Sequence, residues 1–204
     1  FVTQRLMRQI ESRVLLPTQH GLKVEGIDYR GVLYAGLMIT EAGPRVLEFN
    51  TRFGDPETQG ILRRLKSDLV PLLVATAKNQ LESAEVPEWD ARACVGVVGA
   101  AQGYPASYEK GHVIEGLGPA EAVEEAVVFH AGTRSDHGQV LTNGGRVLCV
   151  TALGKDVAEA RERAYRAFDE VRWSGKSGRR DIGLGRLART PGALEEAGEL
   201  GGVG

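Results

Sequence analysis

Leu6, Ile10 and Val14 recur at every fourth residue, the spacing of one helical face, and predict a helix over residues 1–26. Pro17 lacks an amide donor and should break or kink it. Residues 31–39 are almost wholly apolar and predict a strand buried on both faces. The polar turn Thr40-Glu41-Ala42-Gly43-Pro44 then leads into a second strand over 45–50, so the two form a hairpin-like pair. Helices are expected over 57–66 and 68–81, the second with Ser67 as N-cap and Pro71 tolerated in its first turn.

The texture changes across residues 82–92, where Pro87 interrupts a polar stretch. Beyond it, short β-type runs fall at 93–98, 112–114, 127–130, 139–141 and 146–152. Turns rich in glycine separate them, at Gly116-Leu117-Gly118 and at Asn143-Gly144-Gly145, the second a strong hairpin signal. A helix over 156–173, with Ala160, Ala164, Ala167, Phe168 and Val171 on its apolar side, closes this part. The expected organisation is therefore one domain over 1–85, a β-rich domain over 92–190 and a disordered tail over 191–204. The chain opens on Phe1, without an initiator methionine and with no approach loop before the helical pattern, so a longer parent chain is expected.

Composition narrows the function classes. The 204 residues are 42% hydrophobic and 25% charged with net charge −2, an ordinary globular balance offering no field that favours nucleic acid or an anionic membrane. Lys176, Arg179 and Arg180 read as a solvated face. No apolar run approaches the ~20 residues needed to span a bilayer. Cys94 and Cys149 lie in separate apolar runs without a CxxC pair, which suits two buried thiols in a reducing cytoplasm.

The segment with chemical content is Val46-Leu47-Glu48-Phe49-Asn50-Thr51-Arg52-Phe53-Gly54-Asp55-Pro56-Glu57. Alternation puts Glu48, Asn50 and Arg52 on one side and turns Leu47 and Phe49 to the core. A carboxylate and an amide oxygen suit a hard cation whose other ligands come from phosphate, and a guanidinium suits a phosphoryl group or carboxylate. Taken alone, the same alternation also fits the exposed face of an amphipathic strand, with Glu48 and Arg52 as a weak surface pair.

The string Glu48-x-Asn50-x-Arg52 resembles the metal-binding strand of ATP-grasp enzymes. Leu33-Tyr-Ala-Gly-Leu-Met38, Val46 to Gln59 and Lys66-Ser-Asp-Leu69 are similar to the phosphoribosylamine–glycine ligase family. So are Gly103-Tyr-Pro105, Val128-Phe-His-Ala-Gly-Thr133, Thr142-Asn-Gly-Gly-Arg-Val-Leu148, Val150-Thr-Ala152 and Arg180-Asp-Ile-Gly183, in the same order over roughly residues 20–189. The resemblance implies an α+β fold: the C-terminal part of an ATP-grasp domain, then a small, mostly β domain with one closing helix. It implies an ATP-dependent carboxylate–amine ligase of purine biosynthesis, joining glycine to 5-phosphoribosylamine through a glycyl phosphate. Glu48 and Asn50 then become ligands to Mg²⁺ or Mn²⁺, Arg52 and Asp55 the residues at the phosphoryl and amine ends of the substrates, and Leu37 and Met38 the residues under the adenine. For Met38 a plain core role is the alternative. Residues 32–39 contain no carboxylate, where many ATP-grasp enzymes carry a further metal ligand, and this leaves the metal count open.

In the second domain, His130 and the Asn143-Gly144-Gly145 turn are candidates for substrate contact, with an ordinary hairpin turn as the alternative. The family's glycine-rich loop, nucleotide-gripping lysines and adenine hinge acids precede this segment. These residues by themselves are therefore expected to lack ligase activity and to need the N-terminal half. A carboxylase-type ATP-grasp ligase and a non-catalytic binding module are the competing readings.

Overall fold

A computed structural model describes residues 2–187, and the tail expected at 191–204 lies outside them. The chain divides into two compact units: Phe1–Asp55 with Leu65–Glu88, and Pro56–Arg64 with the chain from Trp89 onward.

The first unit opens with α1 (Gln4–Ile10), a π-helical turn over Glu11–Leu15, and α2 (Leu16–Val24). No break occurs at Pro17. The π turn widens the helix just before the proline, relieving the clash of its ring with the carbonyl four residues earlier, and Leu16 N–H closes on Glu11 O. Ile10 and Val14 are buried as their spacing requires.

Strands β1 (Tyr34–Thr40) and β2 (Gly43–Asn50) form an antiparallel two-stranded ribbon. Gly43, at φ 105°, closes the turn, and Arg13 Nη1 donates to Ala42 O there at 3.3 Å. Strand β1 is not buried on both faces, since Gly36 alone within it is fully covered. Leu47 and Phe49 do not face a core either, being 65% and 42% exposed. Alternation assigns a side of the ribbon correctly, but a two-stranded ribbon has no further strand or layer to cover that side.

In the first unit, α4 (Leu69–Ala77) is capped by Asp68, whose carboxylate accepts from Val70 N at 2.9 Å. Ser67, the expected cap, instead accepts from Glu88 N at 2.7 Å. The preceding helix, α3 (Glu57–Arg64), belongs to the second unit. Arg63 Nη2 donates to Glu125 O at 2.9 Å, and Arg64 Nε and Nη2 donate to Asp90 O at 3.1 and 2.9 Å.

The second unit is built on an antiparallel sheet in the order β4-β7-β3-β8, from β3 (Ala93–Ala101), β4 (Ala126–His130), β7 (Arg146–Gly154) and β8 (Lys176–Ser177). Helix α6 (Val157–Glu170) packs on β3 and β7, and its predicted apolar residues Ala160, Ala164, Ala167 and Phe168 are buried with Val171 just beyond it. Asp156 caps α6 by accepting from Glu159 N at 2.9 Å, while the Glu159 carboxylate accepts from Lys155 N at 2.6 Å. Contacts of α3 with β3 and β7 help to explain why Val147 to Gly154 is buried throughout.

Hairpin β5 (Thr133–Asp136) and β6 (Gln139–Thr142) turns at His137-Gly138, with φ of 45° and 79°, both in the left-handed region a tight two-residue turn needs. The Asn143-Gly144-Gly145 turn is not a hairpin: β6 pairs with β5, while β7 lies between β4 and β3. Residues 112–114 contribute a single bridge, Val113 to Leu141, instead of a strand. Gly116-Leu117-Gly118, read as a turn, opens the short helix α5 (Leu117–Glu121) with Gly116 at φ 78°.

Candidate metal centre

Strand β2 carries the chemical segment. Tyr34 pairs with Asn50 and Gly36 with Glu48, but Leu37 pairs with Val46, so the register slips by one residue at Leu47. This bulge resets the alternation of β2 behind Glu48. Tyr34, Gly36, Glu48 and Asn50 share one face, and Asn50 Nδ2 donates to Glu48 Oε1 at 3.0 Å. That bond ties the carboxylate to the amide and leaves Glu48 Oε2 and Asn50 Oδ1 as two hard oxygen donors.

The donor set fits Mg²⁺ or Mn²⁺, which take oxygen ligands and commonly only one or two from protein when phosphate and water supply the rest. It does not resemble a structural zinc site, and among the described residues no group of three or more His, Cys, Asp or Glu gathers at ligand distance.

Arg52 departs from the expected row. Ribbon pairing ends at Tyr34 and Asn50, so the chain bends past it, and Arg52 Nη1 donates to Phe53 O at 2.8 Å. Asp55 is partly buried further along the same loop. Leu37 and Met38 point to opposite faces of β1, since neighbours in a strand alternate. Met38, 53% exposed, shares the face of Gly36 and Glu48, and Leu37 lies on the other side.

In the second unit, His130 Nδ1 lies 3.0 Å from Thr133 Oγ1. Asn143 N–H is spent on Gly132 O at 2.7 Å. A Cβ on Gly144 would meet Gly132 Cα at 2.8 Å, and one on Gly145 would meet the Tyr104 ring at 2.1 Å. The turn is packed on both sides, and Tyr104 supplies one of them. Sequence reasoning missed the bulge and the pairing of Gly36 with Glu48. A lone glycine inside an apolar run was the available signal, since it marks a bulge or a close approach.

Comparison with known proteins agrees with the order of these elements. The family model for the phosphoribosylglycinamide synthetase ATP-grasp (A) domain matches residues 1–58, and the model for the C domain of the same family matches residues 94–185. The chain is 50% identical over 189 residues to a phosphoribosylamine–glycine ligase of Vibrio vulnificus (strain CMCP6), covering 92% of this chain and 44% of the relative. It is 54% identical, with the same coverage, to one of Allochromatium vinosum. A crystal structure of phosphoribosylamine–glycine ligase from Thermotoga maritima superposes with TM-score 0.67 at 38% identity, over 80% of this chain and 40% of that one. The chain thus spans less than half the length of the curated relatives it matches.

Proposed function

Since the chain belongs to the phosphoribosylglycinamide synthetase family, carrying the end of its ATP-grasp domain and its C domain, we propose that it is part of a phosphoribosylamine–glycine ligase. The reaction joins glycine to 5-phosphoribosylamine with ATP converted to ADP and phosphate, through a glycyl phosphate, in the cytoplasm and in purine synthesis. The observation that carries this reading is the Glu48–Asn50 pair, tied at 3.0 Å on the strand where the family resemblance puts the metal ligands.

When bound, the cation neutralises phosphate oxygens and so lowers the cost of carboxylate attack on the γ-phosphorus. The residues of this chain do the holding. Glu48 and Asn50 present two oxygens from one strand. Arg52 is the residue for the phosphoryl or carboxylate end, and reaches it by exchanging its bond to Phe53 O. Asp55 is the residue for the amine end, and Met38 an apolar surface for adenine beside Glu48. Leu37, on the opposite face, would support the ribbon from behind.

No activity is expected from residues 1–204 alone, because a site open to water forfeits much of the electrostatic gain of an enclosed one. The test is glycine-dependent ADP formation by the intact ligase. Glu48→Gln should lower it by about 100-fold or more, and a variant with the parent's rate removes the metal assignment. Turnover by the 204-residue chain itself would refute the need for a further half.

A further inference from the structure

We propose that Gly36 is a positioning residue for the cation site, its missing side chain being what lets Glu48 lie across β1 toward Asn50. This rests on the reading of Glu48 and Asn50 as cation ligands. Gly36 is the one fully buried residue of β1 and is the partner of Glu48 across the ribbon. A Cβ built there would stand 3.0 Å from Glu48 Cγ, and 3.6 Å from both Glu48 O and Tyr34 Cε1. Its backbone is not in the left-handed region, so what glycine supplies here is space and not conformational freedom.

The close atom is Cγ, next to the root of the Glu48 side chain. Swinging the carboxylate tip therefore does not relieve the contact: a methyl group at position 36 makes the root of the side chain give by a few tenths of an ångström. The shift is felt at the 3.0 Å bond from Asn50 Nδ2, which depends on both side chains leaning together over the same strand. The bulge at Leu47 adds to this dependence, because with the register slipping there Gly36 is the last β1 residue paired in step with the Glu48–Asn50 end of β2. A ligand pair misplaced through its supporting residue loses metal affinity by about tenfold or more.

The experiment is a titration of the isotope-labelled 204-residue chain with Mn²⁺ alone, following paramagnetic broadening of backbone amides. The parent chain should show broadening centred on residues 34–36 and 48–50, and Glu48→Gln should abolish it. Gly36→Ala should need about tenfold more Mn²⁺ for the same broadening, with amides of the second unit unmoved. Ala35→Gly, which loosens the same strand at a residue alternating to the other face, should leave the Mn²⁺ requirement as it was. Broadening that is absent from the parent, or survives Glu48→Gln, overturns the ligand reading and this proposal with it. Loss in Glu48→Gln with no change in Gly36→Ala overturns the role of Gly36 alone. An equal weakening by Ala35→Gly also overturns it, since the effect would then be general disruption of the ribbon.

Discussion

Lys176 offers a test in which hydrogen bonding and burial pull in opposite directions. Its Nζ donates to the carbonyls of Phe168 and Val171 at the end of α6, the second at 2.5 Å, and lies 3.8 Å from the Phe168 ring centroid. Those contacts favour the ammonium form. Burial nonetheless pushes the group down to about 8, with Asp169 opposing and Arg180 and Arg172 adding to the fall. Between about 8 and 10.5 the unfolded chain then holds a proton that the folded chain has released, so stability rises with pH across that window and is lost as pH falls through it. A fully dry group would make this worth about 3 kcal/mol, and solvent screening of a half-exposed ammonium cuts it to about 1.5 kcal/mol. Lys176→Met keeps the apolar stem but leaves two carbonyls without their donor. It should destabilise the second unit by about 1 kcal/mol at pH 7, where relief of burial offsets part of the loss, and by about 2 kcal/mol near pH 10. Urea unfolding at pH 7, 8, 9 and 10 measures the gap. Fluorescence reports on this unit, because Trp89 and Trp173 both belong to it. Groups common to both proteins cancel in the difference. A gap that narrows as pH rises would mean that the carbonyls and the ring outweigh burial, and the reasoning would be wrong.

Gly116→Ala should prevent stable folding of the second unit, because at φ 78° its Cβ would come within 1.9 Å of Glu170 O, a backbone atom that cannot swing away. Gly118→Ala, two residues on in α5 with nothing within 4 Å, should be neutral or stabilise by up to about 1 kcal/mol, and thermal unfolding of the pair separates the two cases. Phe168→Ala, at a side chain 1% exposed, should cost about 3–5 kcal/mol in urea unfolding. Asp156→Ala removes the cap of α6 and should cost about 1 kcal/mol by the same measurement.

Patterning along the chain was sufficient wherever one element's periodicity met a complete partner. The apolar face of α6 appears in the sequence as Ala160, Ala164, Ala167 and Phe168, and all four are buried against the sheet. The β-type run at 146–152 likewise lies within an observed strand, β7. Alternation along β2 put Glu48 and Asn50 on one face, and the structure ties them by a hydrogen bond. These features depend on spacing within a single element, which the order of residues already contains.

What the sequence could not carry is which elements meet. Asn143-Gly144-Gly145 has the composition of a hairpin turn, yet β7 pairs with β3 and β4, because a long apolar strand is better covered in the centre of a sheet than beside the short β6. The real hairpin closes at His137-Gly138, where positive φ is imposed by the ribbon it joins. Helix α3 sits between elements of the first unit in the sequence but belongs to the second, since Arg63 and Arg64 bind carbonyls at positions 125 and 90. Gly36 and Glu48 are twelve positions apart, and only cross-strand register, slipped by one residue at Leu47, sets the bare backbone of one under the side chain of the other. Periodicity determined the elements and their faces. Pairing, register and close approach were decided by tertiary structure, because they arise from which surfaces can be covered at the same time.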